Sequence, residues 1–164
     1  MKFIIMLFLL IGCTNLEFVY QQDKKNPLSR STSFLVTGDQ TEVASNELSR
    51  ILGTNLDNNF FLVINVKEAI SSEVISEDST TLKYNVSHEL LYTLSRKTNG
   101  NSDCILIEKK MTSTSNYDSK SAGYNFGTDI SKTRTIEDNI TNNIQNFVSS
   151  VYSLTDFKSC KNEG

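Results

Sequence analysis

Three cysteines, one histidine and the basic pairs Arg96-Lys97 and Lys109-Lys110 are the groups in this 164-residue chain whose types and spacing could do chemistry. Cys13 closes an apolar run, MKFIIMLFLLIGC, where a thiol can take acyl chains. Cys104 and Cys160 then remain as an even pair, which an oxidising compartment can close into a disulfide. Such a bond would pin the C-terminal tail to a strand, with Cα atoms within about 7 Å. The other reading is a buried thiol at Cys104 and a free one on the tail. His88 stands in a row of apolar residues, where a satisfied half-buried imidazole is expected rather than a base or a metal ligand. No C-x-x-C, H-x-x-x-H or alternating acidic calcium loop accompanies it, so no metal site is expected. G-x-S-x-G, P-loop and post-strand G-x-G-x-x-G patterns are also missing from the sequence. Acidic pairs such as Glu77-Asp78 and Glu137-Asp138 read as solvated charge. The expectation is a protein with no catalytic residues and no cofactor, not an enzyme. The paired bases are Arg96-Lys97 and Lys109-Lys110. They concentrate positive charge on one predicted ribbon and could hold phosphate groups. Charges that solubilise and protect a hairpin would look the same.

The apolar run Phe3–Ile11 has nine residues, whereas a helix crossing a bilayer needs about 20. With Lys2 before it and small Gly12 after it, the segment has the pattern of a secretory signal. Leu10-Ile11-Gly12-Cys13 resembles the bacterial lipobox, whose cysteine becomes the acylated first residue of the mature protein, carrying fatty chains such as palmitate. Several chains on one cysteine hold a protein firmly to a membrane, where a single chain is marginal. By resemblance to enteric sorting rules, Thr14 after the cysteine favours the outer membrane. The expected organisation is a signal peptide over 1–12 and a lipidated N-terminus with spacer over 13–31. A folded domain over 32–155 and a tail over 156–164 complete it. Removal of residues 1–12 takes Lys2 with it, moving the net charge from −3 to −4. No polybasic block remains, so the whole field attracts neither nucleic acid nor an anionic surface, and an anionic partner must meet a local patch.

The elements that must position these groups follow from periodicity. Thr32 to Thr37 is β-branched and apolar, a short strand closed by Gly38. Asp39 and Glu42 have the spacing of a capping box, and Val43, Leu48, Ile51, Leu52 and Leu56 recur at helical spacing. From Phe60 the period is two, with Leu62, Ile64, Val66 and Ile70 on one side. The next strand alternates Leu82, Tyr84, Val86, His88, Leu90, Tyr92 and Leu94 against polar residues. Asn99-Gly100 supplies a tight turn. That turn pairs Leu94 with Ile105, Tyr92 with Ile107 and Glu89 with Lys110, although a turn one residue later would keep the faces and move every pair. Leu91 would then form a small apolar patch with Leu106 and Cys104 on the wetter face. A long second helix carries Ile136, Ile140, Ile144, Phe147, Val148 and Val151. The predicted fold is α+β, in the order β-α-β-β-β-α. It is a two-layer sandwich of a four-stranded, mainly antiparallel sheet with both helices on its apolar face.

This order of elements, with Ser115-Asn116-Tyr117 after the last strand, Tyr124, and Arg134-Thr135-Ile136-Glu137-Asp138-Asn139-Ile140 opening the long helix, resembles the lipopolysaccharide-assembly lipoproteins of the LptE family, in their alphaproteobacterial form. Cys13 through Tyr20, with aromatic Phe18 and Tyr20, is similar to that family's N-terminal end. Asn139, Asn142 and Asn143 depart from it, because the family's helix is usually richer in alanine, and loosened packing is expected there. The resemblance implies an outer-membrane lipoprotein facing the periplasm that plugs the β-barrel LptD, supports its assembly and binds lipopolysaccharide. Arg96, Lys97, Lys109 and Lys110 would be the lipopolysaccharide-binding candidates. An outer-membrane lipoprotein adaptor of a secretion or efflux complex would share these sequence features.

Overall fold

The computed structural model describes residues 26–54, 57, 59–74, 82–97, 104–119 and 125–152. Its elements are β1 (Thr32–Gly38), α1 (Thr41–Leu52), β2 (Phe60–Val74), β3 (Leu82–Arg96), β4 (Cys104–Asp118) and α2 (Asn125–Tyr152). The strands form one sheet in the order β1-β2-β3-β4. β1 is parallel to β2, as its crossover through α1 requires, and the other two pairings are antiparallel. The predicted α+β order is the observed one.

Both helices lie on the face formed by Leu62, Ile64 and Val66 of β2 and by Val86, Leu90, Tyr92 and Leu94 of β3, all fully buried. Ala44, Leu48 and Leu52 of α1 and Ile140, Ile144 and Phe147 of α2 complete that core. The stacked rings of Tyr92 and Phe147, with centroids 3.9 Å apart, join α2 to the sheet at its centre. Fifteen-residue strands extend about 50 Å, but β1 pairs with β2 only from Phe60 to Val66. The far half of β2 is therefore left at an edge. Ile70, expected in the buried row, is 41% exposed there.

The fold begins earlier than Thr32. Leu28, within the expected spacer 13–31, is fully buried. Its turn is closed by the Ser31 hydroxyl donating to the Pro27 carbonyl at 2.7 Å and by the Arg30 N–H donating to the Leu52 carbonyl at 2.8 Å.

The capping box does not form. Gln40, in left-handed backbone geometry with φ 50°, occupies the cap position without a side-chain hydrogen bond to the helix. Asp39 is engaged elsewhere: its Oδ2 accepts the Glu68 N–H at 2.8 Å, while its own N–H donates to Val66 O at 2.9 Å. The carboxylate thus extends the β1–β2 ladder by one rung after the strand itself has turned away. Gly38, with φ +94°, permits that turn, and a Cβ at this position would lie 2.0 Å from Val66 O.

Of the two β3–β4 registers that the sequence left open, the one with the later turn is observed along most of the ribbon. Leu94 faces Ile107, Tyr92 faces Lys109 and Glu89 faces Thr112, two residues further along β4 than the Asn99-Gly100 turn implied. Near the strand ends the pairing shifts again, with Ser95 opposite Ile105 and Arg96 opposite Cys104. Leu106 is the extra residue, and a bulge of this kind bends its strand locally. The expected attraction between Glu89 and Lys110 survives as a diagonal ion pair at 2.5 Å. Asn99-Gly100 and Leu56 lie outside the described residues.

Candidate functional site

The four basic candidates occupy one ribbon but not one surface. Arg96 continues the buried row of β3, and its guanidinium lies 5.9 Å above the Phe60 ring on the helix-side face. Lys97 turns the other way, with Nζ 6.0 Å from the Phe61 ring on the open face. Lys109, opposite Tyr92, is on the helix-side face and partly buried, whereas Lys110, opposite Leu91, is on the open face. Pleating separates adjacent residues, so the ribbon offers two cations to each side rather than four to one ligand. Lys110 is engaged by Glu89.

Cys104, the first residue of β4, is disulfide-bonded. Cys13 and Cys160 are the other cysteines of the chain, and both lie outside the described residues. Leu91, predicted in a small apolar patch, is 40% exposed on the open face of the sheet.

A second polar constellation was not legible as a unit from the sequence. His88 is fully buried. Its Nε2 lies 3.0 Å from Glu68 Oε2, and the same carboxylate oxygen accepts from Gln40 Nε2 at 3.0 Å. The Nδ1 of His88 is 3.4 Å from Asn139 Nδ2, which also donates to the Val86 carbonyl at 3.1 Å. Asn139 Oδ1 accepts from the Ser115 hydroxyl at 2.5 Å, and the Ser113 hydroxyl donates to the Asn139 carbonyl at 3.1 Å. One helical turn on, Asn143 Nδ2 donates to Ser113 Oγ at 3.3 Å, and Asn143 Oδ1 accepts from the Tyr92 hydroxyl at 2.8 Å. Burial pushes that phenol far above its ordinary pKa, so it remains a donor at any physiological pH.

This seam couples α2 to β3 and β4. An imidazole in the apolar row needs polar partners; Glu68 of β2 and Asn139 of α2 supply them, and one turn on Asn143 serves Tyr92 and Ser113. Both asparagines are buried, while Asn142 is exposed. The loosened packing expected from their presence is not observed. They satisfy the sheet's buried polar groups where alanine would leave them unpaired. The sequence signal was the spacing of Asn139 and Asn143 on the same helical face as Ile136 and Ile140.

The two helices are joined by a separate polar contact. Glu47 of α1 accepts from Arg50 through both oxygens, at 2.8 and 2.6 Å, and from Gln145 Nε2 of α2 at 3.1 Å. The Arg50 hydrogen bonds hold its carboxyl below the usual value of 4.5, against the opposing effect of burial, with Gln145 adding to the lowering.

No protein-family model matches the sequence, and no curated relative matches it. Solved structures with a similar fold do exist. A protein from Caulobacter crescentus CB15, described as a candidate lipoprotein, superposes with a TM-score of 0.54 at 12% identity, covering 76% of this chain and 89% of that one. The fold is that of the Caulobacter protein. Looser matches are a minor lipoprotein from Acinetobacter baumannii, with a TM-score of 0.49 at 14% identity over 77% of this chain and 94% of that one, and rare lipoprotein B from Shewanella oneidensis, with 0.38 at 8% identity over 72% and 97%. Only the fold is carried over from the first, and the two looser matches add nothing to it. Among the described residues, no helix is long and apolar enough to cross a membrane.

Proposed function

We propose that this chain is an outer-membrane lipoprotein, acylated on Cys13 and facing the periplasm, that plugs a β-barrel of the LptD type and contacts lipopolysaccharide during its transport. The observation that carries this reading is Leu10-Ile11-Gly12-Cys13 at the end of an apolar run too short to span a bilayer. The shared fold with a Caulobacter candidate lipoprotein supports it. Its role is that of a partner, with no reaction performed by its own side chains. The split of the basic residues narrows the lipopolysaccharide contact to one face at a time, and Lys97 with Lys110 is the pair on the face that the helices leave open.

The same reading assigns the disulfide. Acylation occupies the sulfur of Cys13, so the partner of Cys104 is Cys160. Mass spectrometry of the unreduced mature protein should find acyl chains at Cys13 and a Cys104–Cys160 peptide pair. Affinity purification from solubilised outer membranes should recover a large β-barrel of the LptD type. An unmodified Cys13 would overturn the lipoprotein, and recovery of a secretion or efflux component in place of the barrel would overturn the plug.

A further inference from the structure

We infer that the outer edge of β4 pairs with the same edge of a second copy of this chain. The two strands run antiparallel about a two-fold axis at Thr114, and the two four-stranded sheets become one. The inference is independent of the acylation of Cys13 and of the barrel partnership.

β4 is the last strand of the sheet, and among the described residues no strand pairs with its outer side. Edge strands are ordinarily shielded by charges, proline or bulges. The other open edge, β2 beyond Val66, carries Lys67, Glu68 and Glu73. β4 has its bulge at Leu106 and charges at Glu108, Lys109, Lys110 and Asp118, but the stretch from Met111 to Tyr117 has none of these devices. Thr112, Thr114 and Asn116 are exposed along it. Its backbone is also set to pair. Glu68 N–H and Val66 O point toward β1. Carried across both antiparallel pairings, that alternation aims the N–H and C=O of Lys110, Thr112, Thr114, Asn116 and Asp118 outward from the edge.

The charges of the chain select the second copy and the register. An axis at Thr114 sets Thr112 against the second copy's Asn116, Ser113 against its Ser115 and Met111 against its Tyr117. At both ends Lys110 then meets Asp118, while Glu108 and Lys109 lie beyond the paired length. An axis at Ser113 would oppose Glu108 to Asp118, and an axis at Lys109 or Lys110 would oppose that lysine to itself. The chosen axis also continues a row of charge already present on the open face. Lys67 faces Glu89, Glu89 holds Lys110, and Lys110 meets the second copy's Asp118. Within each copy Asp118 faces Lys83, which faces Glu73. The sign therefore alternates from Lys67 across six strands to the second copy's Glu73, and opposite charges facing across strands attract.

The test uses the full chain, expressed with its own N-terminus and purified in detergent, with one added cysteine. Thr114→Cys sets the new thiol opposite its own copy, at a Cα separation of about 5.5 Å that a disulfide accepts. Thr112→Cys, opposite Asn116, lies about 14 Å from its copy along the strand. Under mild oxidation Thr114→Cys should give a covalent dimer, identified by the mass of the peptide linked through position 114, and Thr112→Cys should not. In the Thr114→Cys chain, Lys110→Asp or Asp118→Lys should each lower the dimer yield about tenfold, since two attractive pairs become repulsive. Mixing these two variants should restore the yield, because each supplies the charge that the other lacks, whereas a folding defect is not restored by mixing. Equal linkage at 112 and 114, no linkage at 114, linkage of position 114 to a different protein, or a yield that mixing leaves low would overturn the pairing.

Discussion

Replacing Asn139 with alanine tests whether the buried seam, rather than the surrounding apolar contacts, fixes α2 on the sheet. The substitution removes an acceptor for Ser115 and a donor shared by the Val86 carbonyl and His88 Nδ1. Each hydrogen bond contributes about 1 kcal/mol net, and a buried group left without a partner costs about 1–3 kcal/mol more. Alanine recovers about 0.6 kcal/mol through helix propensity. The imidazole and Ser115 can relax toward each other, which reduces the loss, and about 3 kcal/mol remains, a large fraction of the ~5–15 kcal/mol that a domain has. Urea unfolding followed by far-ultraviolet circular dichroism measures it, with Asn142→Ala as the comparison on the same helix. Asn142 is exposed, so its alanine variant should be unchanged or more stable by about 0.5 kcal/mol. If Asn139→Ala loses less than about 1 kcal/mol, or if the two variants behave alike, the seam does not hold the helix.

Gly38→Ala should destabilise by about 3 kcal/mol or more, because φ +94° and a Cβ 2.0 Å from Val66 O leave no space for the methyl group; thermal melting reads it, and a near-neutral variant would contradict the described turn. Tyr92→Phe keeps the stack on Phe147 but leaves Asn143 Oδ1 without its donor, for an expected loss of about 1–2 kcal/mol in urea unfolding. The Glu47 carboxyl is held below 4.5 by Arg50, so its folded state binds a proton less readily than its unfolded state. Its stabilising contribution is therefore present above about pH 4.5 and is lost as pH falls through the lower folded value. Glu47→Gln should flatten this acid limb of the stability profile; an unchanged limb would mean that the hydrogen bonds from Arg50 do not hold the Glu47 carboxyl ionised in the folded state.

The order of elements was readable because each amphipathic segment presents a single apolar row. β3 alternates from Leu82 to Leu94 almost without interruption, and its even-numbered residues from Val86 to Leu94 are buried. What periodicity could not supply was the relation between segments. A two-residue shift of β4 against β3 preserves every facing assignment, so the hydrophobic pattern is blind to it. A bulge at Leu106 changes the register by one more residue at the strand ends, and its sequence neighbours Ile105 and Ile107 conceal which of the three is extra. Asp39 illustrates a different failure. Its spacing to Glu42 fits a capping box, but the better partner was a strand N–H twenty-nine residues away.

The same asymmetry separates the legible and hidden parts of the functional reading. A local chemical pattern such as Gly12-Cys13 needs no tertiary structure, whereas the basic ribbon needed the pleat to show that neighbouring cations part company. Asn139 and Asn143 belong with the ribbon. Read as composition they weaken a helix; placed against His88, Ser115 and Tyr92 they complete a polar chain that apolar residues could not. The seam lies on the helix-side face, and the exposed Leu35 and Leu91 lie on the other. Polar specificity therefore works inward, to orient α2. A domain built this way keeps its helices in register without using any residue of the open sheet face, since the seam lies wholly on the helix side.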